Sequence, residues 1–383
     1  MKIVADKDIP LIEEYFSAAG EVVKLDGRHF TAEAVKQADV LIVRSITPVD
    51  KNLLHGSKVR YVATITSGTD HIDLSYLNQH GIGFSNAAGS NARSVAEYVL
   101  SSVCVLADQF DIDLTGKTAA IIGCGHIGSL AERFLRDLGL RCLVYDPPLR
   151  DIEGGDRYCE LEDVYAADLI TLHVPLERGG NYPTWRMLDA EFLGRLKKDV
   201  ILINTSRGDV IDEQALSAYL SGNDAARLVL DVWHGEPDID PELLGRADIG
   251  TAHIAGYSMD SKYRAVDCAC RQVCEYFNIE HNVDLMKSFL GAGVSEISLT
   301  DTPAIVDAIR MAVLASYDVR TDASALRQVL ELEPGRRGAY FDELRSDYRI
   351  RREFDSLQVN LSPASEPLAE KLVDFGFRVS VNR

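Results

Sequence analysis

The chain has 383 residues, enough for two or three domains with cores of their own. Its 40 Lys plus Arg stand against 59 Asp plus Glu, a formal charge of −19, which argues against nonspecific binding to nucleic acid or anionic membranes. Seven scattered cysteines make no disulfide framework, the N-terminus lacks a signal-peptide h-region, and the most apolar helical stretch, 95–107, carries Glu97 and is too short to span a bilayer, so a soluble cytoplasmic protein is expected.

Strand-like segments at 2–5, 21–25, 40–44 and 61–66 alternate with helical or turn segments, which predicts a parallel α/β unit. A helical run over 91–110 leads to Ala120-Ile121-Ile122-Gly123-Cys124-Gly125-His126-Ile127-Gly128. This reads as a buried strand running into Gly-x-Gly-x-x-Gly and then a helix. Gly123 permits the tight turn, Gly125 lets the backbone approach a dinucleotide pyrophosphate, and Gly128 lets the helix pack close to the strand. The N–H groups of the helix start then face the diphosphate. Ile127, Leu130, Ala131, Phe134, Leu135 and Leu138 give that helix its apolar stripe, and Gly139 ends it. A second strand, 141–146, closes on Asp146, near the roughly 20-residue offset of the acid that binds an adenosine ribose. A carboxylate there favours NAD over NADP, and Pro147-Pro148 offers no cation for a 2′-phosphate.

Further buried strands are predicted at 168–174, 200–204, 228–233 and 249–254, followed by a helix over 264–277 that packs back onto the first unit. Cys268, Cys270 and Cys274 on that helix fit no zinc spacing and read as buried small residues; no metal site is expected. The expected fold is α/β: two Rossmann-like, doubly wound parallel sheets with a cleft between them, ligands lying at the carboxyl ends of the strands. After about residue 286 the pattern changes. Residues 288–299 are strand-like, 302–317 form an amphipathic helix capped by Thr302 with Pro303 in its first turn, and 339–354 form a charged helix. With no glycine loop and no nucleophile constellation, this region reads as an interaction or assembly module of α+β type.

Three strand ends carry chemistry. Arg207 lies in Asn204-Thr205-Ser206-Arg207-Gly208, among small polar residues where a guanidinium could grip a carboxylate with two parallel hydrogen bonds. Asp231-Val232-Trp233-His234-Gly235-Glu236-Pro237 and Thr251-Ala252-His253-Ile254-Ala255-Gly256-Tyr257-Ser258 are the other two. Hydride transfer to or from a hydroxy acid needs a group that exchanges the hydroxyl proton. Histidine suits that near neutral pH, and a carboxylate on the imidazole fixes its tautomer. Arg207, Glu236 and His253 would supply anchor, orienter and acid/base; from spacing alone, scattered loop charges stay open as the alternative.

In this order, the glycine fingerprint, Asn-Thr-Ser-Arg-Gly, Asp-Val-Trp-x-Gly-Glu-Pro and Thr-x-His-Ile-Ala-Gly resemble the D-isomer-specific 2-hydroxyacid dehydrogenases over residues 1–285. Val43-Arg44-Ser45-Ile46-Thr47, Thr66-Ser67-Gly68-Thr69-Asp70-His71, Tyr257 and the tail with Arg351-Arg352-Glu353-Phe354 resemble a branch acting on a phosphate-bearing acid. The resemblance implies that Arg207 binds the substrate carboxylate, Glu236 pairs with His253, and His253 exchanges the proton. It implies NAD contacts from Gly123, Gly125, His126, Ile127, Gly128, Asp146, Val174, Thr205, Ser206, Arg207, Asp231 and Gly256, with Val174 using its backbone only. His173, in Thr171-Leu172-His173-Val174-Pro175, is expected to be structural or at the cofactor edge rather than a second base. Ser45, Thr66, Tyr257 and Arg44 would contact substrate, with Arg93 a weaker source of positive field. Implied domains are 1–93 with 258–285 (substrate-binding, flavodoxin-like), 94–257 (NAD-binding) and 286–383 (dimerisation, giving a homodimer). Of Arg345, Arg349, Arg351 and Arg352, a solvated face is one reading; the other sends one or two of them to a neighbouring substrate pocket to help bind phosphate. A binding protein of the same fold that senses its cofactor is the competing class.

Overall fold

The computed structural model describes residues 1–280, 294–300, 304–362 and 365–381. They form two compact units: Met1–Asn91 with the residues from Ser258 to Glu280, and Ala92–Tyr257 with the described residues from Val294 onward.

The first unit is built on five parallel strands, β1 Lys2–Asp6, β2 Glu21–Leu25, β3 Val40–Val43, β4 Tyr61–Thr64 and β5 Gly83–Asn86, in the order β2-β1-β3-β4-β5. The central strands β3 and β4 are buried along their whole length, as strands covered on both faces must be. The predicted helix over 264–277 is observed as Met259–Tyr276, its start fixed by a reciprocal cap between Ser258 and Ser261. Val266, Ala269, Cys270, Val273 and Cys274 on it pack against Ile3, Ala5, Ile42 and Ala63. Cys270 donates to the Tyr15 carbonyl at 3.1 Å, while Cys268 is only partly buried.

The second unit holds six parallel strands, β6 Thr118–Ile122, β7 Arg141–Tyr145, β8 Leu169–Leu172, β9 Ile201–Asn204, β10 Arg227–Leu230 and β11 Ile249–Gly250, ordered β11-β10-β9-β8-β6-β7. The strand order reverses between β6 and β8, so the loop after β6 opens at a topological switch point, where doubly wound sheets bind ligands. The last strand is shorter than the predicted 249–254. The Thr251 amide still bonds the Leu230 carbonyl of β10, but the chain then leaves the sheet, the Thr251 hydroxyl and the Ile254 and Ala255 amides turning to the Asp231 carboxylate.

The C-terminal residues add a three-stranded parallel sheet, β12 Glu296–Leu299, β13 Gln358–Leu361 and β14 Arg378–Val381. A sheet this narrow cannot bury an apolar face alone. Here Phe354, Val359 and Phe375 share one continuous core with Val99 and Val103 of the long helix Ala92–Gln109 and with Phe134 of the helix after the glycine loop. Ile309 and Val313 of the helix Ile305–Ser316 are buried in that same core, so this part of the amphipathic helix's apolar face is covered within the chain. Ile305, Val306 and Met311 stay 41–50% exposed. The predicted cap Thr302-Pro303 and the predicted strand residues 288–293 lie outside the described residues. The charged helix runs Pro334–Ser346, earlier than predicted, and Arg349, Arg351 and Arg352 follow it in irregular chain.

Candidate active site

The glycine loop joins β6 to the helix His126–Asp137. Gly123 sits at φ +86, a conformation that strains any side chain, and a Cβ on Gly128 would lie 1.9 Å from the Gly123 carbonyl oxygen. Val174 backs the turn, its Cγ1 2.8 Å from where a Gly123 Cβ would stand, so its side chain shapes the loop rather than facing a ligand. On the other side a Cβ on Gly125 would meet nothing within 4 Å, and Gly125, as N-cap of a twelve-residue helix, offers no side-chain cap. Open space in front of uncapped helix N–H groups fits a pyrophosphate.

Asp146, at the end of β7, accepts from the Cys124 amide at 2.7 Å and, as N-cap of the helix Pro147–Glu153, from the Leu149 amide at 3.0 Å. The carboxylate therefore braces the glycine loop as well as standing beside it. With about four acceptor sites in all, it keeps lone pairs for ribose hydroxyls. His126 is exposed at the helix start.

The loops after β9, β10 and β11 converge. Gly208 lies so close to the next loop that a Cβ there would come within 2.0 Å of the Trp233 carbonyl carbon, which sets the Arg207 loop directly against the Trp233–Glu236 turn. Arg207 is half-buried, and its Nη1 donates to the Ser206 carbonyl at 2.8 Å. Ser206 is itself held by the Asn204 side chain. Glu236 accepts from the Trp233 amide at 2.9 Å through one oxygen and pairs with His253 Nδ1 at 2.8 Å through the other. Burial would raise the Glu236 carboxyl, but the charge and hydrogen bond of His253, with the Trp233 amide, overrule it and hold it below its ordinary value. His253 itself adopts φ 55, and its amide donates to the Asp231 carbonyl at 2.7 Å.

Asp231 is 1% exposed, and its carboxylate takes the Thr251 hydroxyl and the Ile254 and Ala255 amides at 2.6–2.9 Å. Its bonds in the chain are those of a scaffold for the His253 loop. Thr251, which also meets the Tyr98 hydroxyl at 2.7 Å, belongs to the same scaffold. Sequence reasoning missed both Thr251 and Tyr98. Thr251 was visible in its motif, whereas nothing marks Tyr98 among the apolar residues of a long helix. Gly256 lies in the turn that Tyr257 closes onto Ile254. His173 is half-buried, its imidazole between the hydroxyls of Thr171 and Thr205, and desolvation pushes it down to about 3, so it stays neutral.

In the first unit, Ser45 is exposed just past β3. Thr66 bridges the Thr64 hydroxyl at 2.8 Å and the Gly68 carbonyl at 2.7 Å, with His71 on the far side of Thr64 at 3.0 Å. Arg44 is paired within its own unit: buried Asp6 grips it at 2.7 and 3.1 Å and Asp8 at 2.6 Å. Arg93 likewise bonds Glu97 at 2.9 Å and the Phe375 carbonyl at 2.9 Å, tying the long helix to the C-terminal segment. Among the C-terminal arginines, Arg349 pairs with Asp322 and Arg351 is fully buried on the carbonyls of Ala255 and Ser94. Arg351 makes no solvated face, whereas Arg349 stays exposed beside its carboxylate partner. Arg345 instead reaches the Tyr257 hydroxyl at 3.3 Å.

Residues 100–255 match the D-isomer specific 2-hydroxyacid dehydrogenase NAD-binding domain, and 291–376 match a domain of unknown function. Erythronate-4-phosphate dehydrogenases from Marinobacter nauticus and Hahella chejuensis are 40% and 41% identical to this chain, over 100% and 99% of it and all of their own length. The chain belongs to the erythronate-4-phosphate dehydrogenases. It thereby sits within the D-isomer-specific 2-hydroxyacid dehydrogenases and carries their NAD-binding domain. Among solved structures, the NAD+-bound 3-phosphoglycerate dehydrogenase of Entamoeba histolytica superposes with a TM-score of 0.63 at 26% identity, covering 74% of this chain and 98% of that one. A formate dehydrogenase from Staphylococcus aureus, TM-score 0.61 at 24% identity over 73% of this chain and 96% of its own, shares the fold.

Proposed function

We propose that this chain oxidises 4-phospho-D-erythronate at C2 to (R)-3-hydroxy-2-oxo-4-phosphooxybutanoate in pyridoxal 5′-phosphate synthesis. NAD, held at the glycine loop, supplies the hydride acceptor. The residues of the chain do the rest. Arg207, pinned through Ser206, holds the substrate carboxylate and the C2 oxygen. His253, with Nδ1 fixed on Glu236, presents Nε2 to the C2 hydroxyl and takes its proton as the C–H bond breaks. The Glu236 carboxylate steadies the imidazolium that forms. The observation that carries this reading is the 2.8 Å pairing of Glu236 with His253, in a turn set against the Arg207 loop by Gly208.

The proposed NAD contacts are the glycine loop with His126 and Ile127, Asp146, the backbone at Val174, the 205–207 turn, Asp231 and Gly256; Asp231 also shapes its loop. Ser45, Thr66 and Tyr257 are the proposed substrate contacts of their respective units. The seven free cysteines suit a reducing, cytoplasmic setting, and among the described residues no helix is long and apolar enough to cross a membrane. A homodimer through the C-terminal region completes the proposal.

Purified protein, NAD and either 4-phospho-D-erythronate or 3-phosphoglycerate, followed by NADH absorbance, tests the substrate. Higher kcat/KM on the erythronate supports the proposal. Preference for 3-phosphoglycerate would move the chain to the other reaction, and NAD binding without turnover would make it a cofactor-sensing binding protein.

A further inference from the structure

Arg345 stands in the last turn of the helix Pro334–Ser346 and is largely withdrawn from solvent. Among the described residues its one hydrogen bond is the long contact to the Tyr257 hydroxyl, at 3.3 Å. Its Nε is buried with no hydrogen-bond partner among the described residues, and its guanidinium makes no ion pair there. Among the neighbouring arginines, Arg349 bonds the Asp322 carboxylate at 3.0 Å and Arg93 bonds Glu97. Arg351 also leaves its Nε without a hydrogen-bond partner, but it is fully buried and its two terminal nitrogens are held by the carbonyls of Ala255 and Ser94. A guanidinium donor taken out of water without a hydrogen-bond partner is costly, and the cost is recovered when an anion's oxygen meets it.

The anion it would meet is set by its surroundings. Tyr257 follows His253 by four residues on the same loop. The charge of Arg345 falls on Glu236, the partner of His253, and helps hold that carboxyl down. This cation, with a donor left unpartnered, thus belongs to the wall that carries the proton-exchanging histidine. On a four-carbon acid reacting at C2, the group that lies beyond the reacting carbon, two carbons away, is the C4 phosphate. A planar fork with Nε and Nη donors to spare suits phosphate oxygens bidentately.

We infer that Arg345 is the phosphate anchor of the substrate site in its own chain, a role that rests on the dehydrogenase reading above. The C-terminal region is then part of the substrate site, and phosphate specificity enters through it rather than through Arg44, which is paired within its own unit.

The test compares wild type, Arg345→Met and Arg345→Lys on 4-phospho-D-erythronate and on phosphate-free D-erythronate, with thermal melts to confirm folding. Removing one charge-assisted contact predicts that Arg345→Met raises KM for the phosphorylated substrate roughly 10- to 100-fold. Its kcat/KM on D-erythronate stays within about twofold of wild type, and Arg345→Lys falls between. Calorimetric titration with inorganic phosphate should show binding to wild type that Arg345→Met loses, a readout that holds even if the chain turns over neither acid. Equal losses on both substrates would make Arg345 a positioning residue acting through Tyr257 and Glu236 and overturn the assignment. Unchanged KM, or unchanged phosphate binding, in Arg345→Met overturns it as well. If Arg345→Met does not fold, Arg345→Lys decides: the ratio of the two KM values must still shift toward the unphosphorylated acid.

Discussion

His253 can exchange a proton productively only while one ring nitrogen is held and the other is free, and Glu236 does the holding at Nδ1. Replacing His253 with Ala should lower kcat by about 10²- to 10⁴-fold, the usual worth of general acid/base catalysis, and Arg207→Ala should lose rate on a similar scale. Steady-state kinetics on folded variants checks this; near-wild-type turnover by the His253 variant would end the proposed mechanism. Glu236→Gln keeps the contact but removes the charge that favours an imidazolium. The acid limb of the pH–kcat/KM profile should therefore move to lower pH, with the fold intact. The wild-type pairing has its own pH limit. The Glu236 carboxyl is held below its unfolded value, so its stabilisation is present above the unfolded pKa and is lost as pH falls through the folded one.

At the scale of elements, the cofactor unit depends on how one strand end braces the next. Asp146 ends β7, caps the helix Pro147–Glu153 and bonds the Cys124 amide of the glycine loop. A 2′-phosphate would be repelled by this carboxylate, so kcat/KM should favour NAD over NADP by at least tenfold, on the order of one like-charge contact. An NADP preference would show that Asp146 does not face the ribose. The β6–glycine loop–helix unit was fully legible in the sequence, because its turn, its close packing and its apolar stripe are all local. The length of β11 was not. Its residues from Thr251 onward look as strand-like as any, and it is the buried Asp231 carboxylate, far earlier in the chain, that takes the Ile254 and Ala255 amides.

On the scale of the molecule, a buried charge cluster fastens the C-terminal segment to the NAD-binding unit. Glu97 and Glu353 are 0% exposed, Arg93 bonds Glu97, Ser94 bonds Glu353, and the Phe354 amide donates to Glu97 at 2.9 Å. Burial, with the charge of Glu353 behind it, pushes Glu97 up to about 8 against the pull of Arg93 and Arg351. A folded pKa above the unfolded one means that this stability is fully present below about pH 4.5, the ordinary value, and is lost as pH rises through about 8. The Tm of wild type should therefore fall more between pH 6 and pH 9 than that of Glu97→Gln; parallel curves would show that Glu97 is not the titrating group. Because this region shares its core with the NAD-binding unit, deleting it would expose Val99 and Phe134, and point changes are the cleaner test of assembly. Charging the exposed face with Val306→Glu and Met311→Glu should convert dimers to monomers by light scattering while leaving the melting temperature nearly unchanged. A dimer that survives both places the interface elsewhere.

The sequence by itself determined the alternating α/β pattern, the glycine loop, Asp146 and the three strand-end motifs with Arg207, Glu236 and His253. Each of these is a run of neighbours whose chemistry is complete within a few residues. Which cations are free was decided only by the tertiary structure. Arg44, Arg93, Arg345, Arg349 and Arg351 read alike along the chain, and whether a guanidinium is matched depends on carboxylates brought in from distant segments. Asp6 reaches Arg44 across 38 residues with two hydrogen bonds, while among the described residues Arg345 bonds the Tyr257 hydroxyl and meets Glu236 and Asp342 through charge alone. The same holds for the fate of Ile309 and Val313. An amphipathic stripe states that a helix face will be covered, and only packing states that its own chain covers it.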